Sequence, residues 1–354
     1  MNRKKILFIV HTEYHMLITI SLICDRFINE NDYEIFIVQT IDNQGKRFRF
    51  VKDLSDFNHI TYLELKYDES DFGYSPEFNN YVNEISRSVI HTCVIFNKLA
   101  YIAFFSVKLL KPKGTRIILA PDGAAAYATI SRFTPRWSLL VAANTHKFLW
   151  ANRIRKFYFY YPTLVYGAMK EISELWVQYP KHTDNRSGKP TSKIDILKSP
   201  ESIKATRKFF GYNESINESC IFYTNQPFRD DRINDFEIYI LKKLSERFPK
   251  LPIYIKLHPT TYDTHRKRFN ELAQVRIIDS TIPAEVVITT LKHSIILSFW
   301  STAMLIDNST CRFFWMFPLL ENAGINLHKM TIKSPSEHLK VIKSIEEIGE
   351  ITTS

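Results

Sequence analysis

The sequence predicts an α/β protein with two domains, each built on a mainly parallel β-sheet. Two series of short apolar strands alternate with helical segments, a pattern typical of parallel sheets covered on both faces. At 354 residues, 45% of them hydrophobic, the chain is long enough for two domains of ordinary size. We place the boundary near 198–218, which gives domains of 1–198 and 199–354.

The first series begins with a strand over 5–10, the loop 11–15 and an amphipathic helix to about residue 27. Further strands are predicted at 33–39, 59–65, 115–120, 174–179 and 193–197. A long helical stretch over 81–110, broken into more than one helix, and a connecting helix over 201–210 are also predicted. The second series has strands at 220–224, 253–257, 275–278 and 294–298, with helices over 235–248, 262–274 and 284–291.

Polar residues follow the strands of the second series. His258-Pro259 comes directly after the strand 253–257, and Thr260-Thr261 can cap the next helix. Ligands bind at the carboxyl ends of strands in open α/β sheets, and helix N-termini favour phosphate. His258 is therefore a candidate phosphate ligand, although a turn histidine packed on its neighbours explains the same pattern. Lys256 adds positive charge there unless its side chain points to solvent.

Two further clusters fall at the same edge. The strand 220–224 runs into Asn225-Gln226-Pro227, whose amides suit a base or a ribose. The strand 294–298 leads to Ser301-Thr302, whose hydroxyls suit a helix N-terminus and a phosphate. Ser and Thr cap helices in all classes of protein, so each cluster alone is weak evidence. Together with the histidine, these clusters predict a site for a nucleotide phosphate.

In the first half, a carboxylate occupies the corresponding position. Pro121-Asp122-Gly123 closes the strand 115–120, and Gly123 allows close approach of a ligand or an unusual backbone conformation. A carboxylate facing a cleft suits a general base for a sugar hydroxyl, whereas the alternative is that Asp122 only satisfies its own turn. The loop 11–15 carries His11 and His15, which are candidates either for contacts with the sugar that bears this hydroxyl, on the acceptor side of the site, or for packing roles.

Cysteine spacing, apolar runs and missing motifs argue against a secreted protein, a membrane-spanning protein and a metal-dependent enzyme. The four cysteines lack metal-ligand spacing, which favours reduced thiols in the cytoplasm. The apolar run 6–10 is too short for a signal peptide, and the run 94–110 is interrupted by polar and charged residues, so we expect no membrane span. The sequence has no Asp-x-Asp pair, P-loop, G-x-S-x-G or Rossmann glycine motif, and we expect neither a metal nor a cofactor. The net charge of +10 indicates an anionic partner.

The order of these motifs resembles that of the bacterial sialyltransferases and related CMP-sugar transferases. Those enzymes share an acidic pair followed by glycine, a His-Pro motif and a later Ser/Thr pair. This chain has Asp122-Gly123, His258-Pro259 and Ser301-Thr302 in that order, as islands between about 110 and 305. The turn 224–227 is similar to that of glycosyltransferase family 52, the lipooligosaccharide sialyltransferases. Pro121 stands where the family often has a second acid.

The resemblance implies a GT-B fold, in which two Rossmann-like domains face each other across a cleft, and an inverting, metal-independent transfer. The first domain would bind the acceptor, with Asp122 as the general base, and the second would bind the CMP-sugar. His258 would contact or protonate the phosphate, and the segment 336–348 would return as a helix to the first domain. The donor site would comprise residues at the strand ends of the second domain: Gln226, Lys256, His258, Pro259, Ser301 and Thr302.

We therefore predict transfer of sialic acid, or a related nonulosonic acid, from its CMP donor to a glycan or glycolipid of lipooligosaccharide or capsule. The alternatives are a CMP-Kdo- or UDP-sugar-dependent transferase, a sugar-binding module without catalytic activity, and a nucleic-acid-binding protein. The last is disfavoured, because the sequence has no RRM, KH or helix-turn-helix signature. The basic and aromatic stretch 132–161 suits peripheral contact with the cytoplasmic face of the inner membrane, or helices whose aromatic side chains enter the core. We expect a cytoplasmic enzyme that does not bind nucleic acid.

Overall fold

The computed structural model shows the chain as two compact units. The residues that it describes are 3–42, 53–67, 76–97, 101–130, 166–183, 186–226, 231–258, 261, 263–278, 282–325, 330–332, 336–349 and 351. One unit is formed by the described residues up to Ile194, except Asp53. The other is formed by those from Asp195 onward together with Asp53. The division between the units falls between Ile194 and Asp195, whereas the sequence analysis places the boundary near 198–218.

The first unit contains a seven-stranded parallel sheet. Its strands are β1 Lys4–Val10, β2 Tyr33–Asp42, β3 Ile60–Tyr67, β4 Thr92–Ile95, β5 Arg116–Leu119, β7 Glu174–Val177 and β8 Thr191–Lys193, with the short strand β6 Ala128–Ile130 outside the sheet. They lie in the order β3-β2-β1-β4-β5-β7-β8, and every neighbouring pair is parallel. The order reverses between β1 and β4. Ligands bind at such a switch point in open α/β sheets.

In the described part of this unit, three helices accompany the sheet: α1 Glu13–Arg26, α2 Pro76–Arg87 and α3 Tyr101–Leu110. Apolar side chains of α2 and α3 form one core with those of β1, β4 and β5. In α1, every side chain from His15 to Cys24 is buried. We predicted an amphipathic helix here, but apolar residues occur on all sides of this segment, and the helix is buried around its whole circumference.

The second unit contains a six-stranded parallel sheet. Its strands are β9 Ile221–Thr224, β10 Ile253–Lys256, β11 Val275–Ile278, β12 Ile295–Ser298, β13 Arg312–Trp315 and β15 Leu339–Val341, with β14 Met330–Ile332 outside the sheet. Their order is β11-β10-β9-β12-β13-β15, and every neighbouring pair is parallel. This is the strand order of a Rossmann domain, with its switch point between β9 and β12.

The described residues of the second unit form the helices α4 Pro200–Phe210, α5 Asp231–Arg247, α6 Asp263–Asn270, α7 Ala284–Ile288, α8 Phe317–Asn322 and α9 Ile345–Gly349. Ser199 caps α4 by accepting from the backbone N–H of Ser202, and Gly211 ends it with φ +68°. Each unit thus carries helices around its own parallel sheet. The predicted fold class, α/β with two Rossmann-like domains, is confirmed.

Strand β4 corrects the sequence analysis, which predicts a helical stretch over 81–110, broken into more than one helix, and no strand within it. The run Thr92–Ile95 is only four residues long, so hydrophobic periodicity cannot tell it from part of a buried helix. Its state is set by pairing with β1 on one side and β5 on the other. The run is therefore a central strand, and it occupies one side of the switch point.

Two other segments also differ from the prediction. Over 193–197 the strand is Thr191–Lys193 instead, and Leu197 has φ +52°, which lies outside the extended region. The segment 336–348 is not one helix, because Leu339–Val341 forms β15 beside β13. Only its end belongs to a helix, α9, which contacts α5 of the same unit. Within the described residues, no helix has the length and apolar character needed to cross a membrane.

Candidate active site

Asp122 lies just after β5, at the carboxyl edge of the first sheet. Gly123, the next residue, has φ +83°, in the left-handed region that strains residues with a side chain. It begins a 3₁₀-helix, Gly123–Tyr127, which turns the chain away from the strand. The Asp122 side chain remains 36% exposed. The turn thus presents an accessible carboxylate at the edge of the sheet.

The buried partner of this carboxylate is His15. Its ring nitrogen Nε2 lies 2.7 Å from Oδ1 of Asp122, although the two residues are 107 positions apart in the chain. His15 is only 1% exposed. Its ring stacks on Phe96, directly after β4, with a centroid distance of 4.5 Å and an interplanar angle of 10°. The ends of three strands therefore converge on one His–Asp pair.

His11, the residue after β1, lies beside this pair. Its backbone N–H donates to Nδ1 of His15 at 3.3 Å, and its own Nδ1 lies 2.5 Å from the hydroxyl of Thr40. Burial, with a smaller contribution from His15, lowers the pKa of His11 to about 3, so its ring is neutral at physiological pH. Both histidines predicted on the acceptor side thus have partners within the first unit.

Tyr166 is a further polar residue near the carboxylate, and the sequence analysis did not select it. Among the described residues its hydroxyl is buried without a hydrogen-bond partner. Burial raises its pKa well above the usual range, with added contributions from Tyr127 and Asp122. A buried phenol hydroxyl without a hydrogen-bond partner costs free energy.

In the second unit, the predicted donor residues follow three neighbouring strands. His258 follows β10, Gln226 follows β9 and Ser301 follows β12, and these strands lie side by side in the order β10-β9-β12. Because the strands are parallel, their carboxyl ends meet at one edge of the sheet. His258 and Gln226 are both half-buried. The clusters that the sequence analysis selected are therefore brought to one switch point.

Asn225, in contrast, is committed to the protein interior. Its side chain is 2% exposed, and its amide nitrogen donates to both carboxylate oxygens of Glu237, at 2.8 and 3.0 Å. Its amide oxygen accepts from the hydroxyl of Thr261 at 2.6 Å. The side-chain amides of Asn225 and Gln226 were predicted to bind a base or a ribose. Of these two, only that of Gln226 remains a candidate for that contact. The backbone N–H of Thr261 donates to the carbonyl of His258 at 2.9 Å, so Thr261 links the turn after β10 to the end of β9.

Ser301 and Thr302 also have partners within their own unit. The hydroxyl of Ser301 accepts from the backbone N–H of Ala303 at 3.2 Å, and caps a 3₁₀-helix, Thr302–Leu305. The hydroxyl of Thr302 lies 3.0 Å from the Glu285 carboxyl, which the sequence analysis did not select. Burial raises the pKa of Glu285, against opposing effects of hydrogen bonds and Lys256. The hydroxyl of Thr302 donates in this contact, which holds the loop after β12 against α7.

Lys256 is buried, at 5% exposure, and its Nζ donates to the carbonyl of Leu257 at 2.9 Å. It does not point to solvent, and its charge lies near Glu285 beneath the edge of the sheet. Four predicted features lie outside the described residues: Pro227, Pro259, Thr260 and the stretch 132–161. The sequence analysis missed both Glu285 and the His15–Asp122 contact, since neither follows a local motif.

The chain was compared with known proteins. A family model described as alpha-2,8-polysialyltransferase (POLYST) matches residues 6–310. No curated protein matches the chain. Among solved structures, the chain is similar to the GT-B domain of a sialyltransferase from Photobacterium damselae, with 12% identity, a TM-score of 0.53, and coverage of 92% of this chain and 98% of that one.

Two more structures are similar. One is a 2,6-sialyltransferase from Photobacterium sp. JT-ISH-224 in complex with CMP and lactose, with 13% identity, a TM-score of 0.54, and coverage of 88% and 71% of the two chains. The other is a Listeria monocytogenes protein assigned as a UDP-N-acetylglucosamine 2-epimerase, with 10% identity, a TM-score of 0.51, and coverage of 86% and 76%. At such identities the likeness shows the fold alone, and it supports the GT-B class.

The resemblance to the bacterial sialyltransferases is confirmed, whereas the likeness to family 52 and the motifs on which the resemblance was based stay predictions. The protein is a sialyltransferase-like glycosyltransferase with a GT-B fold. Because the family model matches most of its length, the chain belongs to the alpha-2,8-polysialyltransferase family.

Proposed function

We propose that the protein transfers sialic acid from CMP-sialic acid to a sugar hydroxyl, with inversion at the anomeric carbon. The observation that carries this proposal is the setting of Asp122, an accessible carboxylate held by a buried histidine at a strand end, in a chain of a sialyltransferase family. The acceptor hydroxyl must lose its proton as it attacks. A positioned carboxylate is a suitable general base for that step.

In the proposed reaction, Asp122 takes the proton of the acceptor hydroxyl. The acceptor oxygen bonds to the anomeric carbon on the face opposite the phosphate, while the bond between that carbon and the phosphate oxygen breaks. CMP leaves with the electron pair of this bond. His258 stabilises the charge that develops on the phosphate, or donates a proton to it.

The second domain is proposed to bind the donor. Gln226, His258 and Ser301 follow neighbouring strands at the switch point, where nucleotides bind in Rossmann-like sheets. In this proposal Gln226 lies near the cytidine, and Ser301 and Thr302 hold the phosphate together with His258. Pro259, the next residue in the chain after His258, is assigned to the same site. Protein groups then neutralise the leaving group, and the transfer needs no metal ion and no cofactor.

We propose a sialic acid chain as the acceptor, extended in α2,8 linkage. The description of the matching family names this linkage, and a net charge of +10 suits an acceptor with a carboxylate on every sugar. A neutral acceptor is the alternative, and lactose occupies that role in the complex of the Photobacterium 2,6-sialyltransferase. Capsule and lipooligosaccharide both contain such glycans, and the stretch 132–161 would hold the enzyme to the cytoplasmic face of the inner membrane.

A donor panel tests the sugar nucleotide. Turnover is measured with CMP-sialic acid, CMP-Kdo and UDP-N-acetylglucosamine, each with a sialic acid oligomer and with lactose, and with and without EDTA. Of the three donors, we expect only CMP-sialic acid to be turned over. EDTA should not change the rate of that turnover. In parallel, CMP should raise the melting temperature while UDP, GDP and single-stranded DNA should not. Preference for a UDP-sugar, or stabilisation only by DNA, would overturn the proposal.

The acceptor is tested by the product. Extension of a sialic acid oligomer with a new α2,8 linkage, identified by NMR, is the expected result. The product's anomeric configuration, opposite to that of the donor, would establish inversion. Sialylation of lactose without extension of the oligomer would retain the donor part of the proposal and exclude the proposed acceptor.

A further inference from the structure

We propose that His15 is the positioning residue that fixes the Asp122 carboxylate for proton transfer. This inference rests on the proposed function, because it assigns a role in the same reaction. It starts from the ring itself, which is 1% exposed and stacks on Phe96 at 4.5 Å. His15 lies in the first turn of α1, where Thr12 accepts from its backbone N–H at 3.2 Å. The ring is therefore held from both the helix and the neighbouring strand end.

The hydrogen bonds of the ring define its tautomer. The backbone N–H of His11 can only donate, so Nδ1 of His15 is the acceptor in their 3.3 Å contact. The proton of the neutral ring is then on Nε2, and it is donated to Oδ1 of Asp122 at 2.7 Å. One carboxylate oxygen is thus tied to a buried donor, while the Asp122 side chain stays accessible at the edge of the sheet.

This arrangement also determines what the histidine does in the reaction. With its proton on Nε2 and its Nδ1 lone pair occupied by His11, His15 has no free site for a second proton. The proton of the acceptor hydroxyl therefore goes to Asp122 and stays on its carboxyl group, which regains the ionised form by losing that proton to solvent after the product leaves. His15 therefore contributes by orienting the Asp122 carboxylate. Such a contribution is substantial, because small displacements of a reacting group lower the rate by up to about 10²-fold.

A matched pair of substitutions tests the role. His15→Gln places an amide donor near the position of Nε2, whereas His15→Met has similar length and no donor. Both variants lose the acceptor for the His11 N–H, so that loss is common to them. With CMP-sialic acid and a sialic acid oligomer, we expect kcat to fall about tenfold to a hundredfold in His15→Met and much less in His15→Gln. KM for the donor and the affinity for CMP should not change.

The Asp122→Asn background separates positioning from general damage. If His15 acts through Asp122, His15→Met should lower kcat little further once Asp122→Asn is present. Equal losses in the Gln and Met variants, or an undiminished effect in the Asp122→Asn background, would overturn the inference. If Asp122→Asn itself turned over like the wild type, the base assignment in the proposed function would fail instead.

A measurement on the unaltered protein avoids any loss of folding in the variants. Nitrogen-15 and proton NMR of full-length protein labelled at histidine reports which ring nitrogen carries the proton. We expect the His15 signals to show a protonated Nε2 and an unprotonated Nδ1, assigned by their loss in His15→Gln. A proton on Nδ1 of His15 would contradict the proposed geometry.

Discussion

At the scale of single residues, His258 carries the donor prediction. It follows β10 beside Gln226 and Ser301, at the edge where a Rossmann-like sheet binds nucleotides. We expect His258→Ala to weaken CMP binding more than tenfold, which corresponds to the ~1.5–3 kcal/mol of a charged hydrogen bond. Calorimetry with CMP measures this directly.

His293→Ala is a suitable control for that experiment. His293 lies at the opposite end of the second sheet, before β12 begins, with φ +49°. Its substitution should leave the affinity for CMP unchanged. Unchanged affinity in His258→Ala would remove His258 from the donor site.

Sequence motifs identified several residues of the candidate site but not their partners. Asp122, His258 and Ser301 follow strands that are recognisable by their apolar runs. The contact between His15 and Asp122 depends on the spatial order of β1, β4 and β5, and β4 was predicted as part of a helix. The role of Glu285 depends on the approach of α7 to the loop after β12. Tertiary contacts of this kind leave no local periodicity in a sequence.

At the scale of elements, one buried carboxylate ties α5 to β9 and to the turn after β10. Glu237 on α5 is fully buried, and accepts from the hydroxyl of Tyr223 at 2.5 Å and from the amide of Asn225. Asn225 in turn accepts from Thr261. The network fixes the loops beside Gln226 and His258 through hydrogen bonds that are shielded from water.

This network predicts a pH-dependent stability. Burial raises the pKa of Glu237 from 4.5 to about 7, against the opposing effect of its hydrogen bonds. The folded state then binds more protons than the unfolded state between those values. The contribution of Glu237 to stability is therefore complete below about pH 4.5 and is lost as the pH rises through about 7, by roughly 3 kcal/mol at most.

Urea unfolding of Glu237→Gln at a series of pH values measures the effect. The neutral amide should flatten the dependence of the free energy of unfolding on pH between about 4.5 and 7. Glu246→Gln, on the exposed side of the same helix, is the matched control and should keep the wild-type dependence. Identical pH profiles for wild type and Glu237→Gln would contradict the buried, protonated carboxyl.

At the scale of the whole molecule, the fold class and the two-domain organisation were predictable, because strand–helix alternation extends over both halves. The ends of elements were less predictable. The strand expected at 193–197 ends at Lys193, where the chain turns through the left-handed residue Leu197. The last strands of the second sheet, β13 and β15, were missed, because each is short and is defined by its parallel neighbour.

The net charge of the whole chain gives a prediction about the acceptor. With +10 charges, the protein should attract a polyanionic sialic acid chain at long range, and salt should screen this attraction. We expect KM for a sialic acid oligomer to rise with ionic strength, while KM for lactose, if it is used at all, stays constant. Salt titration of initial rates measures both, and equal behaviour of the two acceptors would contradict a polyanionic acceptor.

The most direct test of the central claim, that Asp122 is the general base of a CMP-sialic acid transferase, is the turnover number of Asp122→Asn. Asparagine keeps the shape of the side chain and can still accept from His15, but it cannot take up the proton. We predict that kcat falls by about 10²–10⁴-fold, while the affinity for CMP hardly changes, because the lost interaction belongs to the transition state. Near-wild-type turnover of CMP-sialic acid by Asp122→Asn would contradict the account.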